Sequence, residues 1–459
     1  MKVALTALTA GALFVGVVGT NLASAQTPPD QDFAEVAAGC ADFYEPPGNS
    51  VGPDPLNVCQ WDMRIINATL DGSYAENQGE GATIGIIDTG IDLNHPDIAP
   101  NLSEELSCSF IRPGNPQALP QEIDPTNAGA RNDSNGAFNF ETDGPYTGGC
   151  ATKSAVQDYN GHGTHVGGTA AAPINGYGVS GVAPEATLVG LKTGNAEGWF
   201  YTQEVVDALI YAGDKRLDVV NMSFFADPFL FNCKNDAQQR TIVKAISSAA
   251  QYAHQRGVVL VASAGNEAFD SDHPPADADF TQPDHEVGNE CVVVPAELPW
   301  VNTVSAIGPQ KRLSFYSTYG NSKTDVTSPG GDSTQAPNPY GRVLNAWSST
   351  AEPVAGVQRN VEDCQTGGGA PVCVHYVWIQ GTSMAAPHAT GVAALIRAVD
   401  PDLPPMAVTA LMQNTAMPMT CPEDDDRCTG TSNSRANGGQ TNFYGNGLTD
   451  ALAAILGAE

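Results

Sequence analysis

Three short stretches of this sequence carry residue types able to cooperate in nucleophilic catalysis. Ser383 lies in Gly381-Thr382-Ser383-Met384-Ala385-Ala386-Pro387-His388-Ala389-Thr390-Gly391, directly before the apolar run Val392 to Val399. That run predicts a buried helix with Pro387 in its first turn, where a missing N–H costs nothing. A serine at such a helix start sits among orphan N–H groups at the positive end of the dipole, which favours an oxyanion forming beside it. A hydroxyl is a weak nucleophile until a base takes its proton, and imidazole is the natural base near neutral pH. His162 offers one, in Asn160-Gly161-His162-Gly163-Thr164-His165. Asp88, in Ile86-Ile87-Asp88-Thr89-Gly90, offers the carboxylate that orients such a base through its other nitrogen. Singly, these read as a cap, a turn residue and an N-cap. Together, in the order Asp, His, Ser, they read as an acyl-transfer centre.

Such residues need a scaffold that gathers them. Thr83 to Ile87, Thr187 to Leu191, Asp218 to Met222, Val258 to Ala262 and Val301 to Ala306 are short apolar runs that read as buried strands. Helical patterns lie among them: a small-residue segment from Gly163 to Ala172, then Gln203 to Ala212 and Gln238 to Gln255. Ala407 to Thr415 and Leu448 to Leu456 close the chain as helices. Alternation of this kind predicts an α/β fold of three layers, with a parallel sheet covered on both faces. Functional groups then collect at the carboxyl ends of strands, where Asp88 and Asn266 fall. Residues 101–157 are rich in Asn, Gly and Pro and predict a long surface insertion bracketing a cysteine pair. Residues 26–56 read as a Pro/Gly/acid-rich arm of little regular structure held by Cys40, and 57–459 as one catalytic domain without repeats.

Charge excludes several partners. Only 20 Lys and Arg stand in 459 residues, with a net charge of −31 and a pI near 4.3. A nucleic-acid binder needs a basic footprint, and an anionic membrane surface would repel this chain. Self-repulsion at this charge favours a soluble monomer. Met1-Lys2, the apolar stretch to about Gly19 and Ala23-Ser24-Ala25 predict a signal peptide over 1–25, cut before Gln26. That stretch is short of the ~20 residues a membrane helix needs. The expected location is therefore outside the cytoplasm, extracellular or periplasmic. All 10 cysteines lie beyond the cut and are expected as disulfides. Roughly 900 pairings are open to them. Local stapling predicts sequential pairs: 40–59, 108–150, 233–291, 364–373 and 421–428.

Three stretches carry a family resemblance: Ile86-Ile87-Asp88-Thr89-Gly90-Ile91-Asp92, Gly161-His162-Gly163-Thr164-His165-Val166 and Gly381 to His388. In these motifs, and from about Asn57 to the C-terminus, the chain resembles the subtilisin-like serine proteases, the subtilases. The resemblance implies their fold and a secreted endopeptidase acting on polypeptides, with Asp88 orienting His162, His162 as base and Ser383 as nucleophile. That family's own Asp–His–Ser order is the template from which these roles are carried over. Asn266, in Ser263-Ala264-Gly265-Asn266, matches the family's side-chain donor to the oxyanion. Substrate would run along Ser223, Phe224 and Phe225 on one side and Ala264 and Gly265 on the other. Phe224-Phe225-Ala226 stands where the family commonly has Leu-Gly-Gly, which narrows the cleft. With Val293 at the pocket floor and no acid evident there, an apolar P1 residue is expected. The resemblance further implies structural Ca²⁺, held by Asp97, Asn175 and Asn57 with Pro173, Tyr177 and Val179 of the loop 173–179. Asp424-Asp425-Asp426 reads instead as a solvated charge cluster. Residues 26–56 are too few for the folding propeptide that family members usually carry. A processing protease or peptide ligase with the same triad, and a non-catalytic peptide-binding homologue, are the competing readings.

Overall fold

β-Branched and apolar runs build the core of the protein. The structure is a computed structural model and describes residues 33–43, 50–115, 117–124, 126, 150–282, 286–351, 359–365, 372–430 and 440–459. The expected signal segment and the middle of the 101–157 insertion lie outside the described residues. Twelve strands are present among the described residues: β1 (Thr83–Asp88), β2 (Cys108–Ser109), β3 (Thr187–Lys192), β4 (Val219–Met222), β5 (Phe231–Cys233), β6 (Val259–Ser263), β7 (Cys291–Val293), β8 (Val301–Ile307), β9 (Val326–Pro329), β10 (Val343–Trp347), β11 (Arg359–Gln365) and β12 (Val372–Ile379). The α-helices are α1 (Phe33–Phe43), α2 (Trp61–Ile65), α3 (Ser73–Glu76), α4 (His162–Ala171), α5 (Thr202–Lys215), α6 (Ala237–Gln255), α7 (Thr382–Val399), α8 (Pro405–Thr415) and α9 (Ala451–Ala458).

Seven strands form one parallel sheet in the order β2-β3-β1-β4-β6-β8-β9. Period-two alternation sorts its side chains. Ile84, Ile86, Leu188, Val219 and Val261 face α4 and α7, whereas Ile87, Val189, Leu191, Val220 and Leu260 face α5 and α6. The expected three-layer α/β architecture is therefore present. All five sequential disulfides form, Cys40–Cys59, Cys108–Cys150, Cys233–Cys291, Cys364–Cys373 and Cys421–Cys428. No helix among the described residues is long and apolar enough to cross a membrane.

Three features depart from the sequence reading or add to it. The arm carries regular structure, because α1 buries Val36 and Cys40 against the main core and is stapled to Cys59. An antiparallel sheet β10-β12-β11 packs beside the parallel one, unannounced by any alternation strong enough to read. Pro387 is the third: α7 starts at Thr382, so Ser383 is its second residue and Pro387 lies in the second turn. There the missing N–H leaves the Ser383 carbonyl without its helical donor. The Ser223 hydroxyl fills that position, donating to Ser383 O at 2.9 Å.

Candidate active site

Asp88 closes β1 at its carboxyl end and is fully buried. Its Oδ1 accepts from the Thr89 N–H at 2.7 Å and faces His162 Nδ1 at 2.8 Å. Two glycines let the histidine come so near. A Cβ at Gly161, whose φ is 101°, would meet the Trp347 ring at 2.2 Å, and one at Gly163 would meet the Gly90 carbonyl at 2.1 Å. Gly163 thus serves close approach, and Gly161 serves both close approach and a left-handed backbone.

A residue outside the predicted set, Asp158, knits this corner together. Its carboxylate accepts from the N–H groups of Asn160, Gly161 and Thr164 and from the hydroxyls of Thr89 and Thr164, all within 3.0 Å. It caps the start of α4 from outside the helix and leaves His162 one position. Asn160-Gly161-His162 hinted at a tight turn, but nothing local to Asp158 marked it as the acceptor. Burial of the His162 imidazole works to lower its pKa. The charge and hydrogen bond of Asp88, with the charge of Asp158, outweigh that and hold it above the ordinary histidine value.

Ser383 is the second residue of α7. Its hydroxyl donates to the Ser223 carbonyl at 3.2 Å, while its own carbonyl accepts from the Ser223 hydroxyl. Asn266 follows β6 through Gly265, whose φ is 110°. Its Oδ1 accepts from the N–H of Thr382 at 2.9 Å and from the Thr382 hydroxyl at 3.0 Å. Asn266 therefore caps α7 in trans. The carboxamide lies beside Gly381, where a Cβ would sit 3.6 Å from Nδ2 and 3.7 Å from Oδ1, and its oxygen is the end committed to Thr382. Ser383 N–H, within the first turn, has no intrahelical acceptor. Two donors and a hydroxyl thus share the start of α7.

The residues around this geometry, 79–447, match the family model described as Subtilase family. The chain belongs to the subtilase family. It is 26% identical over 376 residues to Subtilisin BL of Lederbergia lenta, covering 82% of this chain and 91% of that protein. With M-protease of Shouchella clausii identity is 27% over 376 residues, 82% of this chain but 64% of that protein. Among solved structures, the epidermin leader peptide processing serine protease of Staphylococcus aureus superposes with a TM-score of 0.62 at 23% identity, covering 90% of this chain and 82% of that one. That likeness concerns the fold. As a subtilase the chain is a hydrolase of the subtilisin type.

In this subtilase aromatic rings pack around the segment that follows β4. Phe224 stacks on Phe200 with centroids 4.3 Å apart and planes 4° apart, and Phe225 meets Phe280 edge-on at 6.3 Å. Asp227 fixes Phe200 by accepting its N–H at 2.6 Å, and burial pushes the Asp227 carboxyl up to about 7. Ala264 extends β6 by donating to Val304 O, and Val293 is buried in the β5–β7 ribbon. Glu267 is another acid outside the predicted set. It follows Asn266 and accepts from the Thr318 hydroxyl at 3.1 Å, its carboxyl raised by burial.

The residues expected to hold calcium come together only in part. Asp97 is fully buried, and its carboxylate accepts from the Tyr376 phenol at 2.5 Å, the Val179 N–H at 2.9 Å and the Asn175 amide at 3.2 Å. Asn175 Oδ1 is taken by the Tyr177 N–H, and Asn57 Oδ1 by the Asp54 N–H. Asp54, absent from the predicted set, accepts from Gly176 N–H and the Ser180 hydroxyl. Pro173 begins the same loop. Calcium takes converging oxygens, and in this arrangement protein N–H and O–H donors bond both carboxylates. No step is routed through calcium.

Proposed function

We propose that this subtilase is a secreted serine endopeptidase that cleaves polypeptides through an acyl-enzyme. Ser383 attacks the scissile carbonyl, and His162 takes its proton and returns it to the leaving amine. Asp88, bonded to Nδ1, keeps Nε2 unprotonated and aimed at the nucleophile. Ser383 Oγ exchanges its bond to the Ser223 carbonyl for one to His162, which frees that carbonyl for a substrate N–H. The tetrahedral oxyanion is met by the Ser383 N–H and by Asn266 Nδ2. The observation that carries this reading is the 2.8 Å contact between buried Asp88 and His162 at the sheet's carboxyl edge.

Export is supported by the signal-like N-terminus and by five disulfides, which persist in oxidising compartments. The stacked rings of Phe200 and Phe224 support an apolar P1 residue. Labelling with a fluorophosphonate serine probe, with Ser383→Ala as control, tests the mechanism. Wild-type protein that stays unlabelled under oxidising conditions would overturn it.

A further inference from the structure

The turn that carries Asp88 stands over a fully buried charge that the mechanism does not use. Lys192 ends β3 directly beside Asp88 in the sheet register and is fully buried. Its ammonium donates to the Thr89 carbonyl and pairs with Glu122 Oε1 at 2.9 Å, with both side chains at 0% exposure. An ammonium in such a place is tolerated only with a counter-charge. The Asp88 carbonyl is already occupied by the N–H groups of Thr193 and Gly194. Lys192 is the donor left for Thr89 O, so it sets the attitude of the peptide between Asp88 and His162's helix. Thr89 is pivotal there, because its hydroxyl also accepts from Gly163 N–H at 2.9 Å.

Glu122 does not come from the sheet. The insertion after β2 delivers it in a short turn over Pro120–Glu122, and three ties hold it. Leu119 N–H donates to Oε2 at 2.7 Å, the Ser109 hydroxyl donates to Glu122 O at 2.7 Å, and Cys108–Cys150 staples the insertion's ends. Ser109 is itself the sheet neighbour of Lys192. A built, dry carboxylate site thus exists for this one ammonium.

Resting on the triad reading above, we infer that Glu122 is a positioning residue of the reaction: it fixes and neutralises Lys192 beneath the Asp88–Thr89 turn. The titratable groups around His162 are Asp88, Asp158 and His165, the last held neutral by burial with a pKa of about 3. None of them is a cation. An uncompensated Lys192 would therefore place a positive charge behind Asp88, and it would oppose protonation of His162.

The test is the pH profile of kcat/KM for Glu122→Gln, for Glu122→Asp and for the pair Lys192→Met/Glu122→Leu. In Glu122→Gln the acid limb moves down by at least about half a unit and kcat falls about tenfold, with KM little changed. Glu122→Asp recovers most of both. The double variant, which buries no charge, returns the limb to the wild-type position but keeps the kcat loss, because nothing holds Thr89 O. A folded Glu122→Gln enzyme with wild-type limb and kcat overturns the inference. Should that variant not fold, a double variant with wild-type kcat overturns it equally. Fluorophosphonate labelling of wild type separates the two failures, since a labelled wild type with an unmoved limb sinks this inference alone.

Discussion

Ser223 donates its hydroxyl to the Ser383 carbonyl at 2.9 Å, in the place where Pro387 withholds the helical N–H. The arrangement continues inward: Asn221 Nδ2 donates to Ser223 Oγ, and Thr390 Oγ1 on α7 donates to Asn221 Oδ1, each at 2.9 Å. The end of β4 and helix α7 are thereby tied together. Ser223→Ala strands the carbonyl, a loss of about 1–3 kcal/mol. We expect kcat/KM to drop about tenfold. Ser223→Ala/Pro387→Ala should recover part of it, since an alanine in place of the proline restores the i→i−4 bond. A double variant no better than the single one would refute the account.

Asn266 caps Thr382 with its carboxamide oxygen and, in the proposed mechanism, meets the oxyanion with its nitrogen; substitution separates the two. Asn266→Asp keeps the oxygen that caps Thr382 but removes the Nδ2 donor. Its kcat should fall about 100- to 1,000-fold with KM nearly unchanged and little loss of melting temperature. Asn266→Ala should add a stability loss of about 1 kcal/mol for the missing cap. Equal kcat in Asn266→Asp and wild type would remove Asn266 from the oxyanion site.

Much of this was legible because strand cores are written in consecutive apolar residues. The runs ending at Asp88 and near Asn266 announced both the strands and their carboxyl ends. Residues whose role depends on distant groups were not legible. Asp158 matters through its tie to the Thr89 hydroxyl, 69 positions earlier, and Glu122 through a lysine 70 positions on (192 minus 122) in an insertion with no periodicity. The start of α7 was misplaced for the same reason: its cap is Asn266, which is remote in sequence. The disulfides followed from simple proximity along the chain.

His162 is held above 6.5 despite burial, because Asp88 and Asp158 favour the imidazolium. In the proposed mechanism neutral imidazole is the acting base, so a raised pKa keeps the enzyme protonated and idle to a higher pH. The acid limb of kcat/KM should therefore lie above the ordinary histidine value, and Asp158→Asn should move it down. A limb below 6.5 in the wild type would contradict the electrostatic reading.

Asp97 offers a test of what holds the loop 173–179. Phe33 of α1 packs edge-on against Tyr177 and Tyr376 at 5.0 and 5.5 Å, and the Tyr177 phenol donates to Asp363 on β11. The loop is thus clamped between a disulfide-anchored helix and a disulfide-stapled hairpin, Cys40–Cys59 on one side and Cys364–Cys373 on the other. The Tyr376 phenol then answers the buried Asp97 carboxyl, which burial raises to about 7. Chelation should leave the melting temperature unchanged. Tyr376→Phe should lower stability by about 1–3 kcal/mol, since a buried acceptor loses its hydroxyl donor. A chelator that lowers the melting temperature as far as Tyr376→Phe does would show that a cation, and not this aromatic clamp, carries the loop.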